Sequence, residues 1–329
     1  MTHIYPLISI VIPVFNREDL ISDCIRSCLN QTYSNFEIIV FDNNSSDKTY
    51  QIAHSFSEKH NNVRVFKQKQ NVGPVMNWLS AIEAAKGEYL KILFSDDIIY
   101  EDFLYETFSK IDDDIGFVLS SFDMGAAIDD SKFQNDWRGI DGLIPSKRYI
   151  EMAIRRFAFC VSPGAALFRT KDVLEVFEHE IPSPSLSNFK SHGAGPDLLI
   201  FLKIASMYKN IYKIRKSLTF FRSHEDSQTI KMNSERNGLI QSSYMQARIY
   251  FANNYDKKIF GRSLGKAFFV ELFQNNNYKV LNVNYLVGIY SFNKDFRYID
   301  VLIGFILSIF DAFQEVIRRL LLSFFIGIK

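Results

Sequence analysis

Between residues 8 and 122, short β-rich apolar runs alternate with stretches of helical apolar spacing, and this alternation restricts the chain to few folds. Ile8–Val14 reads as a buried first strand, and Phe36–Phe41, Val63–Phe66, Glu88–Phe94 and Ile115–Phe122 are of the same kind. Glu18–Asn30 and Asp47–Lys59 carry apolar residues at helical steps, with Ser46 or Asp47 placed to cap the second helix. Pro74 stands at a further helix start and Gly87 after its end, the usual asymmetry of these two residues. Repeated βαβ units predict a parallel sheet with helices on both faces. Ligands of such sheets bind beyond the carboxyl ends of the strands. Three polar clusters fall at such ends: Asn16-Arg17, Asp42-Asn43-Asn44 and Ser95-Asp96-Asp97. Spacing alone therefore directs them towards one crevice.

Composition excludes several classes. Hydrophobic residues make up 47% and charged residues 23%, which predicts a sizeable core rather than disorder. Lys and Arg number 38 against 37 Asp and Glu, so the basic stripe that nucleic-acid binding needs is not expected. Three cysteines make no disulfide framework. Cys24 and Cys28 belong to an apolar stripe with Ile21, Ile25 and Leu29, so they read as buried thiols of a reducing compartment. The apolar run at Ile8–Val14 lacks a preceding basic region and is interrupted by Pro13, unlike a signal peptide. There is no Walker-type phosphate loop, dinucleotide fingerprint, serine-hydrolase elbow or zinc-protease motif.

Asp96-Asp97 is the strongest local signal. Hard divalent ions take carboxylate oxygens, and Mg²⁺-type sites use one or two carboxylates together with phosphate oxygens. Taken alone, such a pair reads better as a solvated cap of the next helix, near Glu101. It does not stand alone. Val11-Ile-Pro-Val-Phe-Asn16, Gln31-Thr-Tyr-Ser-Asn-Phe-Glu37, Asp42-Asn-Asn-Ser-Ser-Asp47, Asn71-Val-Gly73 and Gly87-Glu-Tyr89 precede Ser95-Asp-Asp97 in order. This series resembles glycosyltransferase family 2, specifically over residues 7–122 and more weakly to about residue 230.

The resemblance implies an α/β fold of the GT-A type: an αβα sandwich with a mostly parallel central sheet, here followed by a helical C-terminal extension. It also implies a nucleoside-diphosphate sugar donor, inversion at the anomeric carbon, and Mn²⁺ or Mg²⁺ as cofactor. Carried over by position, Pro13 and Asn16 line the nucleotide pocket, and Asp42 and Asn43 meet the base, with uridine the favoured one. Family members often have two acids where this chain has Asp42-Asn43. Asp96 approaches the ribose or diphosphate, and Asp97 holds the metal. Many relatives have a further Asp at the position of Phe94. Gly195-Pro-Asp-Leu-Leu-Ile-Phe-Leu-Lys203 resembles the family's acceptor-side segment; Pro196 replaces its first acid, leaving Asp197 as the catalytic base. Phe220-Phe-Arg-Ser-His-Glu-Asp-Ser-Gln228 resembles a later segment in which Arg222 contacts the diphosphate and His224 ligates the metal or contacts phosphate.

The expected organisation is a catalytic domain over 1–230, with a nucleotide-sugar half at about 1–122 and an acceptor half at about 123–230. A helical extension follows over 231–298 and an amphipathic helix over 299–329. The stretches from Gly125 to Pro145 and from Ile181 to Pro196 read as loops. In the last helix Asp300, Gly304, Ser308, Asp311, Glu315 and Arg318 form a narrow polar stripe amid Val, Leu, Ile and Phe. Charges along the middle argue against a membrane span and fit a helix lying in the headgroups. Arg297, Arg318, Arg319 and Lys329 are placed to meet anionic lipid. The same apolar face also suits packing on its own domain or in an oligomer.

The expected partners are thus a UDP-linked sugar donor, a glycan or lipid-linked acceptor, and the inner face of the plasma membrane, in surface-polysaccharide synthesis of a bacterium. Two other readings compete. A sugar nucleotidyltransferase would need a basic, glycine-rich loop after the first strand, where Asn16-Arg-Glu-Asp19 stands instead. A non-catalytic nucleotide-sugar or glycan adaptor is disfavoured by the intact Asp96-Asp97 pair and mildly favoured by Pro196.

Overall fold

The computed structural model describes residues 5–130, 132–134, 141–155, 162–181, 189, 192–224, 239–273 and 297–326. The chain forms two compact units, one built on a central sheet and one chiefly on residues 241–329, which also takes the chain from Glu151, the second half of the helix Ser146–Arg155.

In the first unit β1 (Ile8–Val14) leads through α1 (Ile21–Leu29) to β2 (Phe36–Asp42), then α2 (Thr49–Ser57), β3 (Val63–Lys67), α3 (Pro74–Glu83) and β4 (Tyr89–Ile92). A two-residue β5 (Ile98–Ile99), α4 (Phe103–Phe108) and the long β6 (Ile115–Gly125) follow. Next come β7 (Lys132–Gln134), β8 (Gly142–Pro145), α5 (Ser146–Arg155), β9 (Ala166–Arg169), α6 (Thr170–Val176), α7 (Pro196–Met207) and β10 (Asn210–Arg222). The strand order is β3-β2-β1-β4-β9-β6-β10-β5, with β7 on β6 and β8 on β10. The longer pairings, β1 with β2 and β4, β2 with β3, and β6 with β10, are parallel; the short ones made by β5, β7, β8 and β9 are antiparallel. This is the α/β sandwich with a mostly parallel sheet that the alternation predicts.

Period-two alternation assigns the faces. Ile8, Ile10, Ile12 and Val14 pack with Ile21, Cys24, Ile25 and Cys28 of α1 and with Phe103 and Leu104 of α4, all buried in one cluster. Val11 and Ile39 are also buried, and Val75, Trp78, Ala81 and Ile82 supply the buried stripe of α3. The two thiols are reduced and buried, as their spacing predicts. Gly87 is required by close approach: a Cβ there would stand 2.5 Å from the Ser9 amide nitrogen and 2.7 Å from the Leu7 carbonyl.

Several boundaries differ from the sequence expectation. The first helix begins at Ile21 rather than Glu18, because the Glu18 carboxylate accepts the Lys48 N–H and the Glu18 N–H donates to Asp47. The second begins at Thr49, whose N–H donates to Asp47 Oδ1. The stretch from Gly125 to Pro145 contains two short strands. Leu218–Phe221 is only the end of a 13-residue strand. Lys213 hides the start of that strand from a hydropathy reading: it is buried, its ammonium donating to Ser121 Oγ and the Ile214 carbonyl.

In the second unit the helices are α8 (Leu239–Tyr255), α9 (Lys257–Phe273) and α10 (Tyr298–Ile326). The helical character expected after residue 231 holds where residues are described; most of 231–298 outside the first two helices lies beyond them. So do the side chains of Asp311, Glu315, Arg318, Arg319 and Lys329. No helix among the described residues is long and apolar enough to cross a membrane.

Candidate active site

Register sets the crevice. Val14 pairs with Asp42 across β1 and β2, so both strands end level, and the Asn43 N–H donates to the Val14 carbonyl. Val11 pairs with Ile92, so the chain leaving β4 passes over the same edge and delivers Ser95, Asp96 and Asp97 there. Ile98 and Ile99 then pair antiparallel with Phe220 and Thr219. That turn carries Asp97 to the end of β10, beside Arg222.

Asp97 is 7% exposed, and its Oδ1 accepts the Arg222 backbone N–H at 3.1 Å. Burial pushes its carboxyl well above the usual carboxylate range. The Asp96 charge pushes the same way, against the Arg222 hydrogen bond and the charges of Lys91 and Arg222. Asp96 Oδ2 lies 3.0 Å from His224 Nε2. The Arg222 guanidinium donates to the Asp96 carbonyl at 3.2 Å and lies 3.7 Å from Asp23 of α1. Asp96, Asp97, Arg222 and His224, far apart in sequence, therefore form one cluster. Asp23 is a member that hydropathy reading missed, since it looks like an ordinary first-turn acid of a helix.

Two adjacent carboxylates, one desolvated, form an environment that a divalent cation relieves. Among the described residues no three His, Cys, Asp or Glu side chains converge as a ready metal cage. The donor set instead fits a cation held by one or two carboxylates and completed by phosphate oxygens. His224, tied to Asp96, is within reach of the same place.

On the nucleotide side, Asn16 adopts a left-handed conformation with φ 50°. Its Oδ1 accepts the Ser46 N–H at 2.9 Å, and its own N–H donates to Ser45 Oγ, so the loops after β1 and β2 are stitched together. Pro13 lies within β1, paired with Phe41. Asn43 spends its amide on the neighbouring loop: Oδ1 accepts the Val72 N–H, and Nδ2 donates to Asn71 Oδ1. Asn71 Oδ1 also accepts the Gly73 N–H, ahead of α3. Asp42 is fully buried; its Oδ2 accepts the Ser45 N–H, while Oδ1 has no hydrogen-bond partner among the described residues. A buried acceptor in that state is rare and suits a ligand N–H.

Asp197 lies in the first turn of α7, 8% exposed. Its Oδ1 accepts the N–H groups of Gly195 at 2.8 Å and Leu198 at 2.7 Å, which fixes the carboxylate at the helix start. His192, just upstream, is also buried, and its Nδ1 accepts the Ala194 N–H. Behind Arg222, on the α1 side, an open groove of about 410 Å³ is lined by Asp23, Arg26, Asn30, Ile98, Ile128 and Asp129 among others. Neither Asp42 nor Asp97 lines it.

Residues 9–177 match the family model described as glycosyl transferase family 2. The chain is 37% identical over 116 residues to an uncharacterized glycosyltransferase of Haemophilus influenzae, covering 35% of this chain and 44% of that protein. It is 44% identical over 108 residues to the poly(ribitol-phosphate) beta-glucosyltransferase of Bacillus spizizenii, covering 31% of this chain and 17% of that one. The matches thus span less than half the length of these relatives. Among solved structures, TarS 1–349 of S. aureus in complex with UDP-GlcNAc superposes with a TM-score of 0.61 at 20% identity, over 84% of this chain and 76% of that one. At that identity the likeness concerns the fold.

Proposed function

Given that the chain belongs to glycosyltransferase family 2, we propose that it moves one sugar, with inversion, from a UDP-sugar to a hydroxyl of a glycan or lipid-linked acceptor. The setting proposed is surface-polysaccharide synthesis at the cytoplasmic face of a bacterial plasma membrane. The observation that carries this reading is the cluster at the sheet edge: Asp96 and Asp97 beside Arg222 and His224, level with the buried, partly unsatisfied Asp42. Similarity to a protein whose structure contains UDP-GlcNAc supports UDP as the nucleotide.

Each group has a physical task. Asp42 Oδ1 takes a base N–H. Asn43 meets the base while its amide also holds the Asn71-Val72-Gly73 loop. Asn16 and Pro13 shape the floor. Asp97 would hold Mn²⁺ or Mg²⁺, with Asp96 beside it and His224 as a further ligand or phosphate contact. Such an ion would supply positive charge to offset the departing diphosphate. The Arg222 guanidinium lies next to that charge and adds a fixed cation. Asp197, oriented by two backbone N–H groups, accepts the acceptor hydroxyl's proton as that oxygen attacks C1.

Thermal unfolding with a panel of nucleoside diphosphates, with and without Mn²⁺, tests the donor site, since a ligand of the folded state raises apparent stability by mass action. Metal-dependent stabilisation by UDP alone is expected. Preference for GDP would keep the family and overturn the base; no nucleotide response in folded protein would favour a non-catalytic adaptor. Asp197→Asn should keep UDP-sugar binding and lose transfer, and near-normal turnover by that variant would remove Asp197 from the mechanism.

A further inference from the structure

Asp97 and Asp197 are carried by elements far apart in sequence, and each is held through its backbone as well as its side chain. The Asp97 N–H donates to the Phe94 carbonyl at 3.0 Å, and the Asp197 N–H donates to the Gly193 carbonyl at 3.4 Å. The places of Phe94 and Gly193 therefore govern those of the two acids. Both residues meet one side chain, Trp78 of α3, which is 7% exposed. Its ring centre lies 5.1 Å from that of Phe94, with the planes tilted by 44°. Its outer edge lies against Gly193, where a Cβ would stand 2.5 Å from Trp78 Cη2 and 2.8 Å from Cζ2.

Glycine is the residue type this contact demands. Gly193 has φ 73°, and the indole leaves no room for a side chain there. Gly195, with φ 112°, is pressed in the same way by Phe189, whose Cε1 would stand 2.5 Å from an added Cβ. The segment ahead of Asp197 thus rests on aromatic rings, and close packing leaves its backbone little slack. Helix α3 is itself anchored on the nucleotide side. Its N-cap is Gly73, in the loop held by Asn43. Beside Trp78, Asn77 Nδ2 donates to the Phe41 carbonyl at 2.8 Å, one residue before Asp42. The indole is therefore a rigid spacer on a helix pinned to β2.

We propose that Trp78 is a positioning residue for the transfer, fixing the separation between the Asp96-Asp97 turn and the base Asp197. The proposal rests on the roles given to Asp97 and Asp197 above. A leaving diphosphate and an attacking hydroxyl must be aligned, and a misplacement of about 1 Å can cost about 100-fold in rate. Chain connectivity does not supply that alignment, since Asp97 follows β4 and Asp197 opens α7. A buried indole does: it is large and flat, and has few rotamers to lose. A smaller ring would leave a gap at Gly193, because the outer atoms of the six-membered ring make that contact. The groups assigned to the base, Asp42 and Asn43, are held by hydrogen bonds that do not involve Trp78.

The test compares Trp78→Phe, Trp78→Leu, Gly193→Ala and the double variant Trp78→Phe/Gly193→Ala in the full chain. The first measurement needs no turnover. In Trp78→Leu, amide exchange should quicken about tenfold at both Asp97 and Asp197, while β1 and β2 keep their protection. Thermal stabilisation by UDP with Mn²⁺ should persist in every variant. On a UDP-sugar turned over by the unaltered chain, each single variant should lose about ten- to 100-fold in kcat. KM for the donor should change by less than about twofold, and Trp78→Phe should lose less than Trp78→Leu. The added methyl should find the room that Phe vacates, so the double variant should turn over faster than Gly193→Ala alone. Unchanged exchange at either acid, losses confined to donor KM, or a double variant no faster than Gly193→Ala would each overturn the proposal. So would a loss of protection spread across the whole sheet, which would make the indole a core support only. If the unaltered chain binds UDP but transfers no sugar, the transfer reading fails by itself, and exchange at the two amides still decides whether Trp78 couples them.

Discussion

At the carboxyl edge of the sheet, polar side chains are outermost and are held by hydrogen bonds: Asn16 to Ser46, Asn43 to Val72, Asp97 to the Arg222 backbone. Beneath them the strands and α1 bury a continuous apolar cluster. In the α9–α10 pair Asp300, Gly304 and Ser308 lie inside together with Val301 and with Phe305, which packs on Phe268 and Phe269, while Leu302, Ile306 and Phe310 stay outside. The first arrangement is what water demands of an α/β unit. The second leaves apolar side chains exposed on the outer face of α10. The two regions therefore fail in different ways when altered, and that difference can be measured.

The largest effect should fall on catalysis. Asp97→Ala should reduce transfer by about 100-fold or more by removing the cation's carboxylate, while the hydrogen-exchange protection of α9 and α10 stays unchanged; initial rates with a UDP-sugar and exchange measurements separate the two. On the stability side, Gly265→Leu forces a side chain into the Val301 carbonyl and should destabilise the helix pair by about 3 kcal/mol. Hydrogen exchange should show α9 and α10 losing protection while UDP binding persists; loss of both together would mean that the two regions are not energetically separate.

Asn16→Ala should cost about 1–3 kcal/mol, because it removes the acceptor for Ser46 and places Ala at φ 50°. Asn16→Gly should recover the backbone share. Chemical denaturation of the two variants measures the division.

A subtler test uses the raised Asp97 carboxyl. The folded state binds that proton more tightly than the unfolded chain, whose value is near 3.9. In the absence of metal, stability should therefore fall as pH rises above about 4 towards the folded-state value. Asp97→Asn should unfold at a higher temperature than the unaltered protein at neutral pH in chelator, and the gap should close below about pH 4. A variant less stable than the parent at neutral pH would show that the charge is already compensated. The smallest effect is expected of the Leu302→Gln, Ile306→Gln and Phe310→Gln replacements on stability in water, within about 0.5 kcal/mol, because those side chains are exposed.

Much of the site was legible because each element carried its own signal. The alternation of runs placed Asn16, Asp42 and Asp96-Asp97 at strand ends, and strand ends of a parallel sheet converge. Pro196 at α7 and the buried Cys24–Cys28 stripe followed from local rules as well. Other features had no local signal. Asp23 reads as a surface acid until Arg222, 199 positions away, is brought beside it. Asn43 reads as a base contact, and only the fold shows that its amide also ties down the Asn71–Gly73 loop. Lys213 interrupts an apolar run and hides a strand, because the partner that makes its burial tolerable, Ser121, comes from another strand.

By itself the sequence determined the order of strands and helices, the edge on which chemistry gathers, and the amphipathic character of the last helix, since all three depend on periodicities of two and 3.6 residues along one segment. Which side of that last helix faces inward was decided only in three dimensions. A stripe of Asp300, Gly304 and Ser308 is compatible with water or with a neighbour. Gly261 and Gly265, some forty positions earlier, let a second backbone come close enough to choose the neighbour.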